Sequence, residues 1–154
     1  MAMFRGINAV NVDAKGRIAV PARYRDDLIS DADGRLIVTI DSEERCLLLY
    51  PLPIWEEIEK RIEELPSFNQ AIRRIQRLLI GHATELAMDS SGRILLPPLL
   101  REYASLDGQI ILVGQGKKFE LWNREVWHNG RDGWLNGSKE SQNNLPPELQ
   151  GLSL

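Results

Sequence analysis

The sequence has one cysteine, two histidines and no long apolar run. Cys46 is the only cysteine in 154 residues, so no disulfide can form within the chain. His82 and His128 are the only histidines, and a structural zinc site needs more Cys or His ligands than these positions supply. No apolar run reaches the ~18 residues of a membrane-spanning helix, and the first residues lack the apolar stretch of a signal peptide. We therefore expect no metal or other cofactor, no membrane partner and a cytoplasmic location.

The sequence also has little net charge, but its charges are segregated along the chain. A net charge of -3 argues against a uniformly basic nucleic-acid-binding protein. Residues 1–25 nevertheless carry five bases against one acid, a local balance of +4, and residues 41–65 carry eight acids against three bases, a balance of -5. Such polarity can turn one face toward an anionic partner. On charge alone, two solvated faces explain the pattern equally well.

A five-residue stretch occurs twice and organises the rest of the chain. The box at 13–17, Asp-Ala-Lys-Gly-Arg, reappears at 89–93 as Asp-Ser-Ser-Gly-Arg, and alternating apolar residues flank both boxes. Such a repeat is one supersecondary unit written twice. Asp at the first position and Gly at the fourth are typical of a type I turn. Each copy therefore predicts a strand, a tight turn and a strand, with 9–13 and 17–20 forming the first hairpin.

Apolar periodicity predicts the elements that follow the first box. Residues 22–28 favour a short helix, and the apolar runs 36–40 and 46–50 favour buried strands. An amphipathic helix is expected from Pro53 until Pro66 stops it.

A second helix is predicted from Phe68 to Leu79, with Gly81 as its C-terminal cap. Its polar face carries three arginines, Arg73, Arg74 and Arg77. We expect this face to be solvated or to contact another subunit rather than DNA.

The second copy repeats this order and then diverges. A short helix at 98–104 and strands at 110–113 and 119–122 match the first copy. The glycines Gly130, Gly133 and Gly137 argue against a long helix in this part of the second copy, and the polar stretch 136–144 is expected to be mobile. The last leucines, Leu145, Leu149 and Leu152, form either a short apolar stripe that docks on a subunit or a frayed tail.

An enzymatic function has little support in the sequence. The segment Gly114–Lys118 lacks the spacing and the Ser or Thr of a phosphate-binding Walker A loop, and it is better explained as a basic hairpin loop. No acidic residue forms a recognisable catalytic dyad with a histidine. We therefore expect neither catalysis nor a small-molecule substrate.

The order of these elements closely resembles the MraZ family of bacterial transcriptional regulators. The resemblance covers nearly the whole chain up to Trp127, and it includes Met-Phe-Arg-Gly at 3–6, Leu-Leu-Leu-Tyr-Pro-Leu-Pro at 47–53, and Lys-Phe-Glu-Leu-Trp at 118–122 as well as both boxes. It implies an α+β fold of two tandem AbrB-like (SpoVT-AbrB) β-hairpin/barrel units, with short helices and a helical pair between them. The implied divisions are a first unit at 3–52, the helical pair at 53–81, a second unit at 82–127 and a polar C-terminal tail at 128–154.

The family motif and the chemistry of the boxes together select the candidate site residues. Lys15 supplies a point charge, Gly16 lets the backbone approach a phosphate, and Arg17 can bond a phosphate or guanine O6 and N7 in bidentate fashion. In the alternative reading, Arg17 only pairs with Asp13 and meets no ligand. We predict DNA contacts at Arg17, Lys15, Gly16, Arg5 and Arg93, and turn-structuring roles for Asp13, Asp89 and Gly92.

The second box is the weaker candidate, since serines replace Ala14 and Lys15 and remove the cation at the tip of the turn. The second unit is therefore expected to serve mainly assembly while the first unit reads DNA.

The resemblance implies a nucleoid-associated protein that binds double-stranded promoter DNA. It further implies assembly with itself into a ring-like homo-oligomer that regulates the division and cell wall gene cluster, including its own promoter. A ring built head to tail presents the same turn in the same orientation, and this geometry predicts short direct repeats upstream of the gene. The alternative is a structural ring or an AbrB-like protein-interaction module without DNA binding. Whether the two halves form separate barrels or share strands stays open from the sequence.

Overall fold

The computed structural model describes residues 2–140 and 146–152 and divides the chain into two compact units, with the boundary after Asn123. The first unit contains β1 Phe4–Asn11, β2 Arg17–Ala19, α1 Ala22–Ala32, β3 Arg35–Ile40, β4 Leu47–Pro51, α2 Leu52–Glu63, α3 Gln70–Ile75, a π-helical stretch Gln76–Ile80, β5 Thr84–Ala87, β6 Arg93–Leu95, α4 Pro98–Tyr103, β7 Gln109–Gly116 and β8 Phe119–Asn123. The second compact unit, which differs from the second AbrB-like unit expected at 82–127, contains α5 Arg124–Glu140 and α6 Pro147–Gln150.

The strands form one six-stranded antiparallel sheet and one two-stranded ribbon, and both mix the two copies. The sheet has the order β1-β7-β8-β4-β3-β5, and the ribbon pairs β2 with β6. The first strand of each copy therefore joins the other copy, since β1 pairs with β7 and β5 pairs with β3. The α+β class with two tandem units is confirmed, and the open question is answered: the copies share strands.

The expected hairpin between residues 9–13 and 17–20 is wrong. β1 and β2 leave the first box to pair with different strands of the second copy, and a single backbone bond, from the N–H of Asp13 to the oxygen of Arg17, joins them across the turn. Alternation of apolar residues fixes which face of a strand is buried, but it does not fix the partner strand.

The two faces of the sheet cover different cores. Leu36, Val38 and Ile40 of β3 point into the main core together with Ile18 and Ile94 of the ribbon. The intervening Ile37 packs instead with Trp55 of α2, and Leu79 of the π-helical stretch lies against the same cluster. Successive side chains of a strand point to opposite faces. The ribbon with its boxes therefore lies on one face of the sheet, and α2 with the helix at 70–80 lies on the other.

The first two predicted helices form within a few residues of their expected bounds. α1 ends where Asp33 and Gly34 adopt left-handed conformations, φ 54° and 71°, and their N–H groups bond the carbonyls of Ile29 and Leu28. This ending is the usual left-handed C-terminal cap. α2 ends at Glu63, before the expected stop at Pro66, so Leu65 lies beyond the helix and is 44% exposed.

The next helix differs from its prediction at both ends. Asn69 caps it, since its side chain accepts hydrogen bonds from the N–H groups of Ala71 and Ile72, so Phe68 precedes the helix and is 88% exposed. Gly81 keeps helical angles, φ -60° and ψ -34°, and the prediction of a glycine cap there is wrong. The N–H of Gly81 bonds the carbonyl of Gln76, five residues back, and the helix continues to His82.

The C-terminal prediction is also wrong in part. α5 spans seventeen residues and runs through all three glycines. Each glycine costs a helix about 1 kcal/mol relative to alanine, and the edge-to-face contact of Trp127 with Trp134, 5.7 Å between ring centroids, offsets part of that cost. Residues 136–140 therefore belong to a helix, whereas 141–145, including Leu145, lie outside the described residues. Leu149 lies in α6 and is 42% exposed.

The prediction of a basic hairpin loop at Gly114–Lys118 is confirmed in part, since Gly114 to Gly116 belong to β7 and only the two lysines form the loop. Lys117 and Lys118 connect β7 to β8, and Gln115 N–H donates to the Lys118 carbonyl at 2.9 Å. Among the residues that the structure describes, no helix combines the length and the apolar character needed to cross a membrane.

Candidate nucleic-acid interface

The first box is a tight turn organised by the carboxylate of Asp13. Its Oδ1 accepts hydrogen bonds from the backbone N–H groups of Lys15, at 2.9 Å, and Arg17, at 2.8 Å. Its Oδ2 accepts from Nε of Arg17 at 2.8 Å. The pKa of Asp13 is lowered from its ordinary value, chiefly by the hydrogen bond from the Arg17 N–H. The carboxylate thus holds the turn closed and fixes the direction in which Arg17 leaves it.

The second box repeats this geometry. Oδ1 of Asp89 accepts from the N–H groups of Ser91 and Arg93, both at 2.9 Å, and Oδ2 accepts from Nε of Arg93 at 3.0 Å. The pKa of Asp89 is lowered as well, again chiefly by the backbone bond from its arginine. The replacement of Lys15 by Ser91 therefore changes the charge of the turn and leaves its backbone bonding intact.

The ribbon brings the two boxes onto one surface. Arg17 lies opposite Leu95 and Arg93 lies opposite Ala19, while Ile18 and Ile94 between them are 1% exposed. Both arginines thus lie on the outward face of the ribbon, and diagonal neighbours on antiparallel strands are about 7 to 8 Å apart. Because the strands run antiparallel, the two turns are inverted relative to each other.

Each box also bonds the segment of the other copy that leads into its helix. Gly92 O accepts from Val20 N–H at 2.8 Å, and Gly16 O accepts from Leu96 N–H at 3.0 Å. A family model described as "MraZ protein, putative antitoxin-like" matches residues 3–78 and again 79–133, which are the two copies whose strands interlock in this way. The chain belongs to the MraZ family.

Full-length relatives agree with this assignment. "Transcriptional regulator MraZ" of Coxiella burnetii (strain RSA 493 / Nine Mile phase I) is 62% identical over 152 residues, 99% of this chain and 100% of the relative. Proteins of the same name from Legionella pneumophila (strain Paris) and Halorhodospira halophila (strain DSM 244 / SL1) are 52% and 51% identical over the same shares. The relatives are named as transcriptional regulators, a non-enzymatic class.

Two further arginines, which the site prediction omitted, lie against the boxes of this MraZ protein. Arg101 of α4 covers Gly16: a Cβ built on that glycine would lie 2.6 Å from Arg101 Cζ. Arg25 of α1 covers Gly92 in the same way, with Cζ also 2.6 Å from such a Cβ. Nε of Arg25 donates to Val20 O at 2.7 Å, and Nε of Arg101 donates to Leu96 O at 3.3 Å. The sequence held a signal for this pair, since each arginine follows its box arginine by eight residues.

These contacts define a basic patch that we call the composite box surface, formed by Lys15, Arg17, Arg25, Arg93 and Arg101. Its two carboxylates, Asp13 and Asp89, are both engaged within their turns. Within the described residues no carboxylate pairs with Lys15, Arg25 or Arg101. The surface therefore presents five cations with two structurally committed acids, which suits a polyanion.

Gly16 and Arg5, the other two predicted DNA contacts, have different surroundings from the two box arginines. The guanidinium of Arg101 fills the position that a side chain at residue 16 would take. Arg5 lies opposite Gln115 near the start of β1, and it is six residue steps from Asn11, roughly 20 Å at about 3.3 Å per step. The structure thus brings Arg17, Lys15, Gly16 and Arg93 together and does not bring Arg5 to them.

Proposed function

We propose that this MraZ protein is a sequence-specific DNA-binding transcriptional regulator and that the composite box surface is its DNA contact. The observation that carries the proposal is that the strands leaving the two boxes pair in one ribbon, with Arg17 and Arg93 on its outward face. A two-stranded ribbon fits the major groove of B-form DNA. The name of the relatives, transcriptional regulator, supports the same functional class.

Different residues of this surface take different roles in the proposal. Arg17 and Arg93 use Nε to bond their own box carboxylates. Their terminal nitrogens are therefore available for a bidentate contact with guanine or phosphate. Lys15, at the tip of the first turn, neutralises a phosphate. Asp13 and Asp89 hold the turns and orient the two arginines.

Gly16 and Arg5 are assigned more limited roles. Gly16 acts by making room for Arg101, whose guanidinium would otherwise be displaced from the surface. Arg5 contacts a phosphate only where the duplex extends beyond the composite box surface.

Several copies are proposed to bind together as a ring-like homo-oligomer. One bidentate arginine provides only ~1 to 3 kcal/mol of discrimination, so tight and specific binding requires several linked surfaces. Copies arranged head to tail present these surfaces in the same orientation, which predicts direct repeats in the operator. We place that operator upstream of the protein's own gene in the division and cell wall gene cluster, which implies a cytoplasmic, nucleoid-associated location.

The spacing of the repeats follows from the size of the unit that carries the boxes. A compact unit that ends at Asn123 has a radius of gyration of about 14 Å and a width of roughly 35 Å. One turn of DNA is about 34 to 36 Å, so repeat centres are expected about 10 base pairs apart on one face of the duplex. Inserting about 5 base pairs between repeats should abolish most of the avidity, whereas inserting about 10 should cost less. Equal binding to both insertions, measured by fluorescence anisotropy, would contradict the side-by-side arrangement.

Binding itself is tested by gel shift with the region upstream of the gene, against a shuffled duplex of equal length and composition. We expect a specific shift from the parent protein and its loss when Arg17 and Arg93 are both changed to Ala. A parent protein that retains its oligomer mass but shifts neither duplex would refute the proposal and favour a structural or protein-interaction role.

A further inference from the structure

The helices on the far side of the sheet from the boxes carry opposite charges that do not pair with each other. We propose that the helix at 70–80 docks against the acidic helix α2 of a second copy of this chain, and that this contact joins the subunits. The inference rests on the proposed self-assembly and is independent of DNA binding.

The first side of this proposed subunit interface is a basic surface beside an exposed aromatic ring. Arg73, Arg74 and Arg77 line an open groove of about 460 Å³. Arg74 donates to Ser42 O at 3.2 Å, but within the described residues none of the three arginines pairs with a carboxylate. Phe68 lies beside them at the edge of a second groove and is 88% exposed. We call these four residues the arginine helix surface.

This helix is also incompletely covered within its own chain. Five apolar residues lie between positions 72 and 80, and none of them is fully buried. Leu79 and Ile80 pack against the cluster around Trp55, and Leu78 packs against the main core. Ile72 and Ile75 belong to neither core and stay half-buried. A helix that carries this many apolar residues is usually stabilised by burying them. Since its own chain covers them only in part, a protein partner could bury the rest.

The second side of the proposed interface is the outward face of α2. It exposes Glu57, Glu63 and, just past its end, Glu64, beside the cations Lys60 and Arg61. Within the described part of the chain none of these acids forms an ion pair, and the acids outnumber the cations. Arginine and carboxylate groups form short, charge-assisted and often bidentate bonds when they meet. Each copy therefore offers both an unpaired basic surface and an unpaired acidic one, which is what repeated contact between identical chains requires.

The geometry favours a second copy over DNA as the occupant. The arginine helix surface and the composite box surface lie on opposite faces of the six-stranded sheet, so a duplex held at the boxes is on the other side. A phosphate backbone would leave Phe68 uncovered, and the acids of the neighbouring α2 would repel it.

Charge reversal tests the proposed interface without any DNA. One variant carries Arg73→Glu, Arg74→Glu and Arg77→Glu, and the other carries Glu57→Lys, Glu63→Lys and Glu64→Lys. All six side chains are outside the cores, so folding is checked by circular dichroism and oligomer mass by light scattering. In each variant, like charges then meet at every subunit interface. The protein concentration at which half of the chains are assembled should therefore rise by at least about 100-fold. An equimolar mixture of the two variants should regain the parent mass.

A matched control changes the net charge equally at other exposed cations. Arg5→Glu, Arg124→Glu and Arg131→Glu together should leave the mass unchanged in the absence of DNA. The proposal is overturned if the arginine variant keeps the parent mass, if the mixture does not reassemble, if the control dissociates as far as the arginine variant, or if the parent is a monomer at every concentration. Loss of binding to a single-repeat duplex by the arginine variant at unchanged mass would instead identify a second DNA contact. Failure of the gel shift with intact assembly would refute the DNA proposal alone.

Discussion

Replacing Gly16 with alanine tests whether each copy supports the box of the other. Gly16 has φ +88°, and an alanine Cβ would lie 2.6 Å from Cζ of Arg101 and 2.8 Å from its Nε. The substitution therefore has two separable costs. The first is the left-handed conformation, which any alanine at this φ would bear, and the second is displacement of Arg101 from its bond to Leu96 O.

The two costs have estimable magnitudes. A left-handed alanine costs about 1 to 2 kcal/mol, and loss of a hydrogen bond as long as 3.3 Å costs about 1 kcal/mol. Gly16→Ala should therefore reduce the free energy of unfolding by about 2 to 3 kcal/mol. Gly108 provides the matched control, because its φ is +62° and nothing lies within 4 Å of a Cβ placed there. Gly108→Ala should cost only the first amount.

Urea unfolding followed by tryptophan fluorescence measures these differences, and a double-mutant cycle with Arg101→Ala separates them. In the Arg101→Ala background no guanidinium lies in the way, so Gly16→Ala should cost about as much as Gly108→Ala. Persistence of the excess of about 1 kcal/mol in that background would refute the reasoning, since the excess would then have no connection with Arg101.

The remaining predictions concern charge at the two turns. Arg17→Ala should lower specific DNA affinity more than Arg93→Ala in anisotropy titrations, because only the first turn adds a lysine; equal reductions at preserved oligomer mass would contradict this. Lys15→Ala should weaken binding to all sequences and reduce the salt slope of log K by about 1 for each phosphate that is no longer neutralised; a change in base preference at constant slope would make Lys15 a base reader. Asp13 and Asp89 have pKa values below the ordinary 3.8, so their stabilisation is present above pH 3.8 and is lost as the pH falls below it. The pair Asp13→Asn and Asp89→Asn should therefore flatten the acid limb of a stability profile, and an unchanged limb would refute this.

The turns were predictable from the sequence because their bonds are local. Asp13 bonds groups two and four residues further on, and glycine at the fourth position supplies the positive φ. These relations are visible in five letters of sequence. The repetition of the five letters then predicted that the second turn would have the same backbone geometry.

The exchange of strands was not predictable in the same way. A hairpin within one copy and a ribbon between copies expose the same residues and bury the same Ile18 and Ile94. Their local sequence signals are identical, and the choice depends on long-range pairing such as β1 with β7 over eight residues. For the same reason, the contact of Arg101 with Gly16 had no local signal beyond the matching positions of Arg25 and Arg101.

The exchange of strands between the copies also explains why the second box keeps the aspartate and glycine that form its turn, although it lacks a cation at the tip. Gly92 O holds the N–H of Val20, and Arg25 packs on Gly92, so the second box supports the helix that follows the first. The turn uses only the backbone N–H of Ser91, and a serine serves there as well as a lysine. A defect in the second box must then reach the first copy through Arg25, whatever share of the DNA contact the second box itself makes. Changes at Asp89 and at Arg93 are therefore not equivalent: the first disturbs the second box together with its contacts to Val20 and Arg25 of the first copy, while the second removes one cation.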